Sequence, residues 1–257
     1  CAARRSNFLD RSDRATYDGR VPLPPTTRTV DDVIADMTGL GKAMEDEFGV
    51  ADGVVRFNSL YLQVTTSVGD ALKAEQDFFR LPKEMHRLDV IFGQLYLDAI
   101  AALVADRHIP HCWNALFRVR DHPMIASLQF VLGGMNAHID HDLACALVSQ
   151  WEEAGERPRR GSDAHHDFTK VNTILCTRLD AEKEILLTGL IKDIDKLQGP
   201  IDDRLAMFGI EAARENAWRM AERLWDVRHL RPVRRTMLEV LDLQVALLGD
   251  VLLEPIV

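Results

Sequence analysis

From Thr29 onward, apolar residues recur three and four positions apart, and no stretch alternates apolar with polar residues as a half-buried strand would. Val30, Val33, Ile34, Met37, Met44 and Phe48 form one such set; Phe57, Leu60, Tyr61, Val64, Val68 and Leu72 form the next. Thr29 can cap the first helix, with Asp31 and Asp32 in the first turn, where the helix dipole favours carboxylates. "GVADG" breaks the chain, Pro82 stands near the start of a third helix, and "HIPH" ends it. A short helix is expected at about 112–119. Pro123 is expected to open a long apolar helix that stops before "EAGERPRRGSD". Ser162 or Asp163 can cap the next, running to about Leu197, where "QGP" intervenes; two more are expected at about 202–228 and 233–252. The pattern predicts an all-α fold of seven or eight helices around one core over residues 29–257, with a subdomain split near 155–162 as the alternative. Residues 1–28 end in "RVPLPPTT", whose prolines predict an extended arm.

Within that frame one helix is chemically odd. "GGMNAHIDHDLACAL", Gly133 to Leu147, has the apolar flanks of a buried helix but carries Asn136, His138, Asp140, His141 and Asp142. At 100° per residue Met135, His138, Asp142 and Cys145 share one stripe, and Asn136, Asp140 and Leu147 another. A buried carboxylate must be paired, hydrogen-bonded or metal-bound. His138 and Asp142, four apart, can reach the same point. Three explanations compete. Asp142 can orient His138 as a structural tie between helices. The pair can bind zinc, iron or manganese with further ligands drawn from Asp89 and Asp167. Or His138 can act as an acid–base group whose tautomer Asp142 sets, with Asp98 as a further catalytic candidate. Asn136, Tyr96, Arg214 and Trp218 are the candidate substrate-binding residues, Arg214 through its planar fork of donors. Gly133 and Gly134 imply close helix packing or room for a ligand beside the backbone.

Composition narrows the partners. The net charge of −9 argues against nucleic acid, which requires concentrated Lys and Arg. No apolar run is long enough to span a bilayer. The expected partner is a small-molecule ligand or substrate. The four cysteines form no CxxC pair or zinc-finger spacing. Cys112, Cys145 and Cys176 are read as buried free thiols in a reducing compartment, which suggests a cytoplasmic protein. Cys1 at the start of the chain would fit a lipid-anchored terminus as the alternative. No phosphate-cradling glycine loop, GxSxG elbow or HExxH occurs.

Four segments, "LDVIFGQLYLDAI", "GGMNAHIDHDLACAL", "DFTKVN" and "ARENAW", together resemble a bacterial family catalogued as a domain of unknown function. Its mark is a Gly-Met-Asn-Ala-His-Ile-Asn/Asp-x-Asp-Leu core, and the resemblance covers about residues 55–250. It implies a polar set of Asp89, Tyr96, Asp98, Asn136, His138, Asp140, Asp142, Asp167, Asn172, Arg214 and Trp218. His141 stands outside that set. A more distant similarity is to helical zinc phosphodiesterases of the phospholipase C and P1 nuclease type, which also place His and Asp four apart on a buried helix. The sequence lacks their ligand set in recognisable order. The expectation is therefore an enzyme with a buried His/Asp site inside a helical bundle. It would be a metal-dependent hydrolase or a metal-free acid–base catalyst. A non-catalytic scaffold with a polar network is the rival.

Overall fold

Thr29 begins the fold as expected. Its side chain accepts the Asp32 amide and the Asp32 carboxylate accepts the Thr29 amide, a reciprocal box that satisfies two orphan donors of the first turn. This computed structural model describes residues 23–74, 78–189 and 209–255. Helix α1 is Val30–Phe48 and α2 is Gly53–Ala74. Helix α3 is Pro82–Val104, α4 is His111–Phe117, and α6 is Asp163–Gly189. Helices α7 and α8 are Ile210–Asp226 and Arg231–Leu252. Between α4 and α6 lies the long α5, an α segment Ser127–Met135, a π-helical turn Asn136–Asp142 and a second α segment Leu143–Ala154. The fold is all-α, with eight helices and no strand among the described residues. None of those helices is long and apolar enough to cross a membrane. The expected arm over residues 1–22, the helix end near Leu197, the "QGP" stop and a helix start near 202 lie outside the described residues.

Two differences from the sequence reading have physical causes. Pro123 does not open α5. The chain turns at 119–125, and the helix starts at Ser127, where the Gln129 side chain accepts the Ala126 amide. The same side chain donates to the Leu252 and Glu254 carbonyls, so the start of α5 is tied to the end of α8. Second, α5 is not uniformly α. The Leu143 amide bonds to the His138 carbonyl, five residues back, so the helix widens where the polar residues cluster.

One continuous core draws on all eight helices. Several helix starts are capped by carboxylates from elsewhere in the fold. Leu81 has no capping side chain, and Asp167 of α6 supplies one by accepting the Arg80 and Leu81 amides at 3.0 and 2.7 Å. Asp242 of α8 does the same for α4, accepting the His111 and Cys112 amides at 3.0 and 2.9 Å. Buried Arg234 pairs with Glu152 and joins α8 to α5.

Gly133 and Gly134 serve close packing. A Cβ on Gly133 would meet Leu253 at 2.8 Å, and one on Gly134 would overlap the Phe57 ring. Gly134→Ala should therefore destabilise the protein by about 1–3 kcal/mol, because the Phe57 ring must leave its place in a filled core. Thermal unfolding monitored by far-UV circular dichroism measures this. A variant as stable as the parent would mean that Phe57 has free space to retreat into.

Candidate functional site

The π turn brings three side chains onto one carboxylate. Asp142 Oδ2 accepts Trp113 Nε1–H at 2.9 Å and lies 3.1 Å from His138 Nδ1. Its Oδ1 lies 2.8 Å from His141 Nδ1. Burial pushes the Asp142 pKa upward, yet the hydrogen bonds from His138 and His141 outweigh this and hold it below the ordinary carboxylate value. An ionised carboxylate only accepts, so both imidazoles carry their proton on Nδ1. That leaves a lone pair on each Nε2 while the ring is neutral. Burial depresses the pKa of His138 against the opposing pull of Asp142, which keeps the ring neutral at pH 7. Burial acts on His141 as well, but the hydrogen bond and charge of Asp142, with Asp242 beyond, raise its pKa above the ordinary imidazole value.

His138 Nε2 is buried and has no hydrogen-bond partner among the described residues. The ring stacks on Phe92 at 3.6 Å between centroids and 7° between planes, with Tyr61 edge-on at 4.3 Å. It lines a cavity of about 60 Å³ between α2, α3, α5, α6 and α7. The wall is mostly apolar, including Leu60, Val64, Met85, Leu88, Ile139 and Val171. Four residues interrupt it: His138, Tyr61, Asp89 and Arg214. Each contributes a buried polar atom without a close hydrogen-bond partner among the described residues, namely His138 Nε2, Tyr61 Oη, Asp89 Oδ2 and Arg214 Nε.

The charges in this cavity are strained by burial. It lifts the Asp89 carboxyl to about 7, against the lowering effect of Arg214. It brings the Arg214 guanidinium down to about 10, against the raising effect of Asp89. It also pushes the Tyr61 phenol well above its ordinary value, helped by the neighbouring Asp89. Arg214 is held by one hydrogen bond to the Phe168 carbonyl at 2.7 Å, with its guanidinium 4.4 Å from the Phe168 ring.

The remaining candidates go elsewhere. Asp98 is exposed and accepts a bond from Gln94, so it does not reach the cavity. Asp167 is spent on the start of α3, with His166 Nδ1 3.4 Å away. The Tyr96 hydroxyl donates to Asn58 Oδ1, whose amide donates to the Met37 carbonyl, a buried tie between α3, α2 and α1. Asn136 donates to the Val245 carbonyl and fastens α5 to α8. Trp218 lines a separate pocket of about 90 Å³ with Trp151 and Phe168. Asp140 is partly buried, and burial raises its carboxyl to about 7. Of the suggested metal ligands, His138 and Asp89 reach the cavity. Asp142 has its oxygens taken by three N–H groups and is placed to orient, and Asp167 stands apart.

Two features escaped the sequence reading. Tyr61 reads as a core aromatic, and its polar tip was the available signal. The second is a convergence of Cys112, His141 and Asp242, where one donor atom from each lies within 4.8 Å of the others. These are the donors placed to hold a metal ion among the described residues. Asp242 follows the ordinary periodicity of an amphipathic helix and gives no local hint of this.

No curated protein and no solved structure matches the chain. Residues 30–255 match a family of unknown function (DUF5995), which spans the whole described helical fold, and the chain belongs to that family.

Proposed function

We propose that the cavity beside His138 binds a small, largely apolar molecule carrying one polar group, and that His138 Nε2 takes a proton from it. One observation carries this reading: four residues that line a single apolar cavity each hold a buried polar atom left unsatisfied among the described residues. Each such atom costs about 1–3 kcal/mol unless something bonds to it. A ligand hydroxyl or carboxylate facing His138 and Arg214 would satisfy several at once. The Asp142–His138 pair has the geometry of an oriented base. Asp142 fixes the proton on Nδ1, directs the Nε2 lone pair at the cavity and stabilises the imidazolium formed after transfer. Tyr61 and Asp89, with their raised pKa values, stand as neutral or late-ionising donors beside it.

A hydrolytic metal at His138 fits the donor set less well. His138 and Asp89 would be its ligands, but the Arg214 guanidinium shares the cavity and repels a dication.

The test uses phenol and benzene as probes, followed by titration of the wild type and of His138→Phe. That variant keeps a flat ring against Phe92 but removes Nε2. Phenol should bind the wild type more tightly than benzene and raise its unfolding temperature. The preference for phenol should fall at least tenfold in His138→Phe. If neither probe binds, or both bind equally in both proteins, the polar seam is a structural network and the protein a scaffold.

A further inference from the structure

We propose that Cys112, His141 and Asp242 form a binding site for a divalent transition-metal ion of the zinc class. None of the three lines the cavity, and His141 meets the other oxygen of Asp142 from the one that His138 meets.

The three residues come from α4, the π turn of α5 and α8, and their donor atoms lie within 4.8 Å of one another. A tetrahedral zinc ion with bonds of about 2.0–2.3 Å holds its donors roughly 3.5 Å apart. Small side-chain rotations close the remaining difference. The donor set selects the ion: a thiolate and an imidazole with one carboxylate suit zinc and its neighbours, whereas magnesium and calcium prefer oxygen alone. Two negative ligands, the thiolate and the carboxylate, match a dication.

Two independent features of the surroundings point to a ligand. His141 Nδ1–H is held by Asp142 at 2.8 Å, which fixes the ring and leaves Nε2 with the lone pair. Histidines that bind metals donate their other ring N–H to a carboxylate in the same way, which fixes the tautomer and raises the basicity of the ligating nitrogen. Asp242 is fixed too, by the His111 and Cys112 amides, and that ties the carboxylate to the turn that carries the thiol. A carboxylate oxygen that accepts one N–H keeps a second lone pair for an ion. Cys112 is completely buried, while His141 and Asp242 are partly exposed, so the ion would close over the thiol and keep a fourth position open to water. On binding, the thiol and the Nε2 of protonated His141 release their protons to solvent, and S–metal and N–metal bonds form. The ion would pin together three helices that lie far apart in sequence.

The experiment titrates the full chain, freed of metal by dialysis against a chelator, with Co²⁺ and then Zn²⁺. The wild type should bind one Co²⁺ per chain with a thiolate-to-cobalt charge-transfer band in the near ultraviolet, and Zn²⁺ should displace it. Zn²⁺ should also raise the unfolding temperature. Cys112→Ser should lose the band and the thermal shift, and His141→Asn should weaken binding at least tenfold. Cys145→Ser and Cys176→Ser should keep both. If Cys112→Ser fails to fold by far-UV circular dichroism, His141→Asn decides. A wild type without a thiolate band, or a band that survives both substitutions, overturns the proposal.

Discussion

Asp142→Ala should lower the stability of this protein by about 3–5 kcal/mol, the largest single-residue effect expected outside the apolar core. The carboxylate receives N–H groups from Trp113, His138 and His141, and all but the last are almost fully buried. Alanine leaves those donors without an acceptor, and leaving one buried group unmet costs about 1–3 kcal/mol. The loss is a large share of the 5–15 kcal/mol typical of a domain. Asp142→Asn should cost less, since its carbonyl in the place of Oδ2 still accepts from Trp113 and His138. Urea unfolding read by tryptophan fluorescence distinguishes the variants, because Trp113 is one of the donors. If Asp142→Ala unfolds at the same urea concentration as the wild type, Asp142 is not the hub of the polar network.

Asp89→Asn should stabilise the protein, and the gain should depend on pH in a defined way. The Asp89 carboxyl titrates at about 7 in the fold and near its ordinary value, 3.8, in the unfolded chain. Below pH 4 both states hold the proton and the carboxyl adds no difference. Between pH 4 and 7 the unfolded chain has released its proton and the folded chain keeps it, so the wild type loses stability as pH rises. Above pH 7 both are ionised and the penalty stays constant, on the order of 4 kcal/mol. Asparagine has no proton to lose, so the stability difference between variant and wild type should open between pH 4 and 7 and then level off. Arg214, His138 and Tyr61 face the same cavity and are present in both proteins, and Asp140 titrates in both, so the difference isolates Asp89. Unfolding free energies measured from pH 4 to 9 decide it. A difference that stays flat over that range would mean that Asp89 ionises freely and that the cavity is wetter than its walls suggest.

The legibility of the site varied residue by residue. His138 and Asp142 stood out because ionisable groups one turn apart on an apolar helix are costly, and burial of both followed from the pattern around them. Arg214 and Asp89 could be suspected individually, but nothing in the sequence said that they share a cavity. Asp98 was a catalytic candidate although helical spacing sets it on a different face from Asp89, and it lies exposed. Asp167 looked like a ligand and is a cap, because the start of α3 lacks a capping side chain of its own. His141 stood outside the polar set that the family resemblance implied, yet it shares Asp142 with His138 because the π turn widens the helix at that point. The tight seating of Phe57 against Gly134 likewise needed the fold to choose between close packing and ligand room.

Local rules were enough for what the chain itself determined: an all-α fold of seven or eight helices, several of their boundaries and the burial of the polar stretch on α5. Apolar spacing, capping residues and prolines act within a few residues and can be read in one dimension. The fold alone decided which side chains meet. The cavity joins α2, α3, α5, α6 and α7, and the Cys112, His141 and Asp242 cluster joins α4, α5 and α8. Such meetings depend on how helices dock, which sums many weak contacts over the whole core. No short stretch of sequence carries that sum.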